Sequence, residues 1–195
     1  MALVGKNILL RAQRPEDLPF LAELRNDLET QAWSKTLPPD YTELMFTKQF
    51  EAREFSYDPK AARFIIESKE NAERIGHIGY NGLESRWDVT IGIMMAKKFW
   101  GGGTAMDALE TLLRFLFEEL GVRVVRLWTH SGNPRAVGSA EKLGFQQSYR
   151  RRESIFKSGE CYDNLSMDLL REEYYALHPE LPNNLPPLEF DLSAP

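Results

Sequence analysis

The sequence predicts a single α+β domain built on one mixed, mostly antiparallel sheet. Three features indicate this fold class: helical patterns early in the chain, a succession of short β-branched segments after them, and one strand–turn–helix–strand unit near the centre. With 195 residues, 43% of them hydrophobic, the chain can bury one sizeable core. We expect about seven strands and about four helices. The domain should span residues 1–177, with a Pro-rich tail at 178–195.

The first half of the chain predicts two helices and four strands. A short apolar segment at 7–13 is typical of a strand. The helix expected at 16–27 starts with a proline and acids and repeats apolar residues at helical spacing. A second helix is expected at about 40–54. Three strands in succession follow it, at 62–68, 74–83 and 88–95.

The second half alternates helices and strands before a closing hairpin. The first of its helices starts after three glycines and ends at Gly121, and the second has Asn133 as its N-cap and Pro134 at its first position. The expected elements are a helix at 103–120, a buried strand at 122–129, a helix at 134–142 and a hairpin of strands at 146–156 and 162–170.

Composition and charge argue against several classes of function. A formal net charge of −5 disfavours a nucleic-acid partner and is compatible with a cationic substrate. Cys161 is the only cysteine and the three histidines lie far apart in sequence, so neither a disulfide framework nor a metal site is expected. No segment has the apolar core of a signal peptide or a membrane span. We therefore expect a cytoplasmic protein with no membrane partner.

The segment 100–105 carries the strongest chemical signal. Its consecutive glycines, Gly101, Gly102 and Gly103, follow a predicted strand and precede a predicted helix. Glycines let the main chain approach a ligand, and a helix start offers unpaired N–H groups, so a phosphate or pyrophosphate is the expected ligand. The alternative is a flexible loop with no ligand. The segment lacks the Lys-Ser/Thr of a P-loop and the spacing of a dinucleotide fingerprint, and its flanking strands are predicted to pair antiparallel.

A second motif at 133–145 accompanies the glycine segment. Together the two resemble the Gcn5-related N-acetyltransferase (GNAT) family, over about residues 7–170. The family's [Gln/Arg]-x-x-Gly-x-[Gly/Ala] loop is matched by Trp100-x-x-Gly103-x-Ala105, in which Trp100 departs from the pattern. The Trp-Gly-x-Gly form is similar to the subgroup that acetylates ribosomal protein N-termini and, in related members, polyamines. The second signature is matched at Asn133, Ala136, Glu141, Lys142, Gly144 and Phe145.

The resemblance implies acetyl-CoA as co-substrate, bound where the strand before the loop splays from its neighbour. The pantetheine arm would pair with backbone along Ile93, Met94 and Met95, and an N–H near Met94 or Met95 would polarise the thioester carbonyl. At least one of these methionines should fill the core, because strand neighbours face opposite ways. Asn133 would cap its helix and bind the cofactor, and Trp100 would pack beside it. The pyrophosphate would lie on the amides of Gly101, Gly102, Gly103, Thr104 and Ala105, with the Thr104 hydroxyl as a further donor.

Three residues are candidates for the general base. Glu84 and Asp88 flank the turn into the motif strand and could serve as base or amine anchor, or be solvent-exposed turn acids. His77, on the preceding strand, has a suitable pKa range in its ordinary state, and its orientation is open.

Two hydroxyl groups are candidates for the general acid. Ser139 could protonate the leaving thiolate or be an ordinary helix serine, and Tyr149 could do so or be a buried structural tyrosine. Family members place a tyrosine or a serine where this chain has Ala140 and Ala136.

These features predict an N-acetyltransferase that moves an acetyl group directly to a primary amine, whether a protein N-terminus, a polyamine or another small amine. Cys161 has no evident partner, so no covalent intermediate is expected. The alternative is a CoA-binding protein with little catalytic activity. Acceptor specificity would come from the early helices and from loops at 33–39 and 84–88, which mix aromatics with acids. A homodimer is common in the family, and the tail residues Leu185, Leu188 and Phe190 could pack on the domain or on a second subunit.

Overall fold

The computed structural model of the chain describes residues 2–31, 40–54, 60–84 and 87–181. Within these ranges, eight strands form one sheet in the order β1-β2-β3-β4-β5-β6-β8-β7, accompanied by six α-helices. The strands are β1 Ala2–Val4, β2 Ile8–Ala12, β3 Ala62–Ser68, β4 Arg74–Glu84, β5 Asp88–Met95, β6 Val124–His130, β7 Gln146–Lys157 and β8 Glu160–Leu170. The helices are α1 Leu18–Asn26, α2 Leu28–Gln31, α3 Glu43–Glu54, α4 Thr104–Arg114, α5 Pro134–Lys142 and α6 Arg171–Leu177.

The predicted α+β fold class is confirmed, and the differences lie in short or irregular elements. β3, β5 and α5 have the predicted bounds, whereas the sequence does not predict β1, α2 or α6. α4 is shorter than the predicted helix because the chain widens after Arg114 into a π-helical turn over Phe115–Glu119. In that turn the Leu120 amide donates to the Phe115 carbonyl (3.1 Å).

The pairing of β5 with β6 corrects one expectation. β5 and β6 are parallel over residues 88–90 and 124–126. All the remaining neighbouring pairs among the described strands are antiparallel. The prediction that the strands flanking the glycine turn pair antiparallel is therefore wrong. The physical reason is that α4 crosses over between them, which returns the chain in the same direction. Of the two features that disfavour a dinucleotide fingerprint, only the glycine spacing remains.

The sheet is covered on both faces. On one face, here called the α4 face, Val89, Ile91 and Met95 of β5 share a core with Leu109 and Leu112 of α4. The opposite face, called the α1 face, carries a smaller core in which Leu18 and Leu21 of α1 and Phe46 of α3 pack on Ile65. Met95 is thus the methionine that fills the core.

The first turn of α4 is anchored by Asp107. Its carboxylate accepts hydrogen bonds from the backbone amides of Lys6 (2.7 Å) and Asn7 (2.6 Å). These bonds join the start of α4 to the turn between β1 and β2, and they fix the helix that follows the glycine segment.

The described chain ends at Leu181, which packs against the larger core. The predicted tail residues Leu185, Leu188 and Phe190, and the predicted specificity loop at 33–39, lie outside the described residues. No helix in the part that the structure describes is long and apolar enough to span a membrane.

Candidate active site

An opening in the sheet lies between β5 and β6. The two strands pair only over residues 88–90 and 124–126, and beyond these pairs they separate. Residues 91–95 and 127–130 therefore face each other across a gap. A cavity of about 1040 Å³ lies in the gap, and it is at the upper end of the roughly 300–1,000 Å³ usual for small-molecule sites.

The cavity runs through the sheet rather than along one face. Successive side chains of a strand face opposite sides of the sheet. On both β5 and β6, side chains from each side of the sheet line the cavity. Ile93 and Leu127 lie on the α4 face, while Met94 and Trp128 lie on the α1 face. Two ligands can therefore enter from opposite faces and meet between the strands.

The edge of β5 presents backbone groups to the gap. The Ala96 amide donates to the Ile75 carbonyl on β4 (2.9 Å), and Met94 occupies the equivalent position two residues earlier in the same ladder. Hydrogen-bonded pairs alternate along an antiparallel ladder, so the Met94 amide points towards β4 and those of Ile93 and Met95 point into the gap. An extended ligand that carries amide groups can pair with this edge as an added strand.

The glycine turn lies at the open end of the gap, after β5 and a short 3-10 turn at Lys97–Phe99. Gly101 and Gly103 have left-handed backbones (φ 83° and 80°), and a Cβ at either residue would meet no atom within 4 Å. Gly103 is the N-cap of α4, so the amides that follow it lack helical acceptors. Gly101, Gly103 and Ala105 line the cavity, whereas Gly102 and Thr104 do not. The turn is therefore open to a ligand, and a turn of this kind before a helix N-terminus suits an anion.

Trp100 holds the glycine turn against β5. Its indole N–H donates to the Met95 carbonyl (3.0 Å), one of the backbone groups on the gap side of the strand. The Arg135 guanidinium lies 5.4 Å from the centre of the Trp100 ring. Trp100 therefore packs in the cavity wall, and Arg135 adds positive charge beside the turn.

The start of α5 forms the wall across the gap from the glycine turn. Asn133 is buried, its side-chain oxygen accepts from the Ala136 amide (3.2 Å), and its own amide donates to the His130 carbonyl (2.8 Å). The side chain is thus the predicted N-cap. The wall continues along the helix through Pro134, Arg135, Ala136, Gly138, Ser139, Ala140 and Lys142.

The mouth on the α1 face is formed by β6, β7 and β8. Trp128 and Tyr149 are each 52% exposed, and both are paired with Ser166 of β8. Arg151 is paired with Asn164, two residues from Ser166, so it lies on the same face. Two aromatic rings, an arginine and an amide therefore surround this mouth.

A model of a known family describes the same chain. The model of the acetyltransferase (GNAT) domain matches residues 7–146, which is more than half of the sequence. The chain belongs to the GNAT family.

Named relatives agree with this assignment. The chain is 30% identical to the "SPbeta prophage-derived uncharacterized N-acetyltransferase YokL" of Bacillus subtilis (strain 168), over 89% of this chain and 96% of that one. It is 24% identical to the "Putative ribosomal N-acetyltransferase YdaF" of the same strain, over 88% and 95% of the two chains. The predicted class, an N-acetyltransferase, is confirmed.

A solved structure shares the GNAT fold. A spermidine N-acetyltransferase from Vibrio cholerae, in complex with CoA and spermine, superposes with a TM-score of 0.79. The match covers 87% of this chain and 99% of that one at 22% identity, so it shows the fold alone.

The carboxylates predicted as base or amine anchor lie at the closed end of the GNAT gap. Asp88 forms an ion pair with Arg126 and does not line the cavity. Glu84 is paired with Asp88 in the β4–β5 ladder. Ile93 is five residues beyond Asp88 on β5, and at about 3.3 Å per residue the two are roughly 16 Å apart. The fold brings neither residue's backbone to the middle of the cavity.

Both hydroxyl candidates line the GNAT cavity. Ser139 is half-buried on α5, and Tyr149 is exposed on β7. The alternative of a buried structural tyrosine at 149 is therefore wrong. Ala136 and Ala140 line the wall beside Ser139 and offer no hydroxyl.

His77 lies opposite Met94 in the β4–β5 ladder and is a poor candidate for the base. Burial lowers the pKa of His77, and the positive charge of Arg63 lowers it further, to about 3. The imidazole is thus neutral near pH 7 and holds a proton too weakly for efficient base catalysis there.

Sequence reasoning missed the part of the GNAT site that β6 contributes. Thr129 is buried and lines the cavity, and its hydroxyl has no hydrogen-bond partner among the described residues. Trp128 and His130 line the cavity beside it. The signal that could have found them is the run Arg-Leu-Trp-Thr-His at 126–130, where polar and aromatic residues interrupt an otherwise apolar strand.

Proposed function

We propose that this GNAT protein transfers the acetyl group of acetyl-CoA directly to a primary amine, with both substrates bound together. The observation that carries the proposal is the cavity that runs through the sheet between β5 and β6. Donor and acceptor can enter it from opposite faces and meet between the strands.

The groups near α4 and α5 fit coenzyme A. The open turn at Gly101 and Gly103 suits a pyrophosphate, and Arg135 and Lys142 line the nearby wall with positive charge. The gap-facing edge of β5 suits the pantetheine arm, whose amide groups can pair with strand backbone.

Acetyl-CoA supplies an activated thioester, and the chain supplies positioning and proton transfer. The amine nitrogen bonds to the carbonyl carbon as the carbon–sulfur bond breaks, the amine loses a proton, and the departing thiolate gains one. We assign the polarising N–H to Met95 rather than Met94, since the Met94 amide points towards β4. We assign the proton donor to Tyr149, because a phenol is a stronger acid than the hydroxyl of Ser139.

Direct transfer is also supported by the position of the cysteine. Cys161 is exposed and does not line the cavity, so it cannot accept the acetyl group there.

Binding and turnover can be tested separately. Acetyl-CoA should raise the melting temperature, and free thiol should be released when primary amines are added. A thermal shift without thiol release on any amine would favour a CoA-binding protein, the alternative suggested by the missing hydroxyls at Ala136 and Ala140. No thermal shift at all would overturn both functions.

The glycine cradle has a matched control in the β7–β8 turn, at a glycine that does not line the cavity. Gly103→Val should abolish the thermal shift by acetyl-CoA, because its side chain would enter the open cradle. Gly159→Val imposes the same strain, since Gly159 has φ 86° and a Cβ there would also meet no atom within 4 Å, but it lies in the β7–β8 turn. Both variants should lose stability, and only Gly103→Val should lose the shift. An equal shift in the two variants would mean that the phosphates bind elsewhere.

A further inference from the structure

The cavity differs in charge from the chain as a whole. The protein has 29 Asp and Glu residues against 24 Lys and Arg, yet no Asp or Glu is found among the described residues that line the cavity. Three basic residues do line it, namely Arg135, Lys142 and Arg151. The expected mixture of aromatics with acids concerned the loops at 33–39 and 84–88, most of which lie outside the described residues.

Arg151 is separate from the two basic residues that suit coenzyme A. Arg135 and Lys142 belong to α5, whereas Arg151 lies on β7 at the mouth on the α1 face, paired with Asn164. With coenzyme A bound along α4 and α5, the acceptor enters by the mouth on the α1 face, where it meets the guanidinium of Arg151.

Arg150 and Glu153, on either side of Arg151, form hydrogen bonds with Asp163, whereas Arg151 does not. Arg150 pairs with Asp163 (Nε–Oδ2 2.6 Å), and the Glu153 amide donates to the other carboxylate oxygen (2.8 Å). The register of β7 shifts directly after Arg151, and Glu153 has φ 46°. Such bulges re-aim side chains next to sites. No carboxylate among the described residues forms an ion pair with Arg151.

Apolar groups line the cavity near Arg151 together with its partner Asn164. Trp128 and Tyr149 are half exposed at the mouth, and Ile155, four residues after Arg151 on β7, also lines the cavity. A polycation would bring positive charge to Arg151 with no carboxylate in the described wall to bind it. An amine with an apolar body and a carboxylate would gain a charge-assisted, two-point hydrogen bond from the guanidinium.

We infer that the acceptor is a primary amine that also carries a carboxylate on an apolar body, and that Arg151 binds this carboxylate. The inference rests on the proposed acetyl transfer, since it names the acceptor for that reaction. It makes Arg151 a specificity-determining residue rather than a catalytic one.

Three amines that differ only in one substituent test the inference. With saturating acetyl-CoA, kcat and KM are measured for 4-(aminomethyl)benzoate, benzylamine and 1,4-bis(aminomethyl)benzene. The benzoate should have a KM roughly ten- to a hundredfold below that of benzylamine, and the diamine should be the poorest acceptor. Peptides with Glu or Lys after a free N-terminus repeat the comparison and tell whether the carboxylate belongs to a small molecule or to a protein.

Variants assign the preference to one side chain. Arg151→Gln should raise the KM for the benzoate to that for benzylamine and leave the KM for benzylamine unchanged. Arg152→Gln removes the same charge from the next residue, which is exposed and does not line the cavity, and should change neither value. Arg151→Glu should reverse the order and favour the diamine.

The outcomes separate the inference from the proposed function. Turnover of the amines without a preference for the carboxylate, or a loss in Arg151→Gln that is equal for all three, overturns the inference and leaves acetyl transfer intact. Thiol release with none of these and with no other primary amine overturns acetyl transfer. In that case binding of 4-(aminomethyl)benzoate to the CoA-bound protein decides the inference: loss of binding in Arg151→Gln supports it, and no binding by the unaltered chain overturns it.

Discussion

At the scale of single residues, we expect removal of the Thr129 hydroxyl to have opposite effects on stability and on acetyl-CoA binding. It is buried without a partner among the described residues, which costs about 1–3 kcal/mol. Thr129→Val keeps the shape and removes this cost, so the free energy of unfolding should rise by about 1 kcal/mol. If the hydroxyl serves the bound donor, the same variant should show a smaller thermal shift with acetyl-CoA. Urea denaturation and thermal shift measure the two quantities.

Thr111 offers the matched control for this prediction. Its hydroxyl donates to the Asp107 carbonyl (2.7 Å), so it has the partner that Thr129 lacks. Thr111→Val should therefore lower stability where Thr129→Val raises it. Two losses of similar size would show that the Thr129 hydroxyl is already satisfied in the free protein.

The two cavity hydroxyls should differ in their effect on turnover. Tyr149→Phe keeps the ring and removes the proposed proton donor, so kcat should fall about a hundredfold. Ser139→Ala removes the other hydroxyl and should change kcat by no more than a few fold. Both variants should retain the thermal shift with acetyl-CoA. A large loss of kcat for Ser139→Ala alone would mean that Ser139 on α5, rather than Tyr149, is the proton donor.

How well each site residue could be predicted depends on how local its signal is. Asn133 as an N-cap follows from its position before Pro134, and the structure has this cap. Thr129 and Arg151 belong to the site only because β6 leaves β5 and because β7 bulges. The polar and aromatic residues at 126–130 set Thr129 apart from an ordinary buried strand, but no local pattern predicts that the strands separate or that β7 bulges. Sequence reasoning therefore found the glycine turn and missed most of the mouth on the α1 face.

At the scale of elements, the close approach of β4 and β5 depends on Gly76. A Cβ at Gly76 would lie 2.2 Å from the Met94 carbonyl oxygen and 2.8 Å from the Met95 Cα. Gly76→Ala should therefore push the strands apart and lower the free energy of unfolding by about 1–3 kcal/mol. Gly92→Ala, on β5, is the control, since a Cβ there would meet no atom within 4 Å. Urea denaturation should show the loss for Gly76→Ala alone, and equal stability of the two variants would contradict this account.

The same two strands explain why β5 could be predicted and its partner could not. The bounds of β5 follow from its β-branched and apolar residues, which is a local property. Its parallel pairing with β6 depends on the crossover through α4, and the separation after three residue pairs depends on packing across the sheet. The gap that makes the site is thus a tertiary feature.

Asp17 joins three elements at the edge of the smaller core. Its buried carboxylate accepts two hydrogen bonds from Arg11 of β2 (2.7 and 2.9 Å), one from Arg74 of β4 (2.7 Å) and one from the Arg14 amide before α1 (2.8 Å). Burial raises the pKa of Asp17, but these hydrogen bonds outweigh it and lower the pKa to about 2. The charged form is therefore the one that the fold stabilises.

At the scale of the whole molecule, the folded state should lose stability in acid in two steps. His77 binds a proton near its ordinary pKa of 6.5 when unfolded but only near pH 3 when folded. Between these values the unfolded chain holds more protons, so stability falls by about 1.4 kcal/mol per pH unit as the pH drops. Asp17 adds a second loss as the pH falls from its ordinary 3.8 through about 2.

Replacing the histidine separates the two steps. His77→Gln cannot titrate, so between pH 6.5 and about pH 4 its free energy of unfolding should vary less with pH than that of the unaltered chain. Below about pH 4 both proteins should show the loss due to Asp17. Urea denaturation across this range gives both slopes. Identical slopes above pH 4 would mean that the His77 imidazole takes up its proton in the folded state as readily as in the unfolded one.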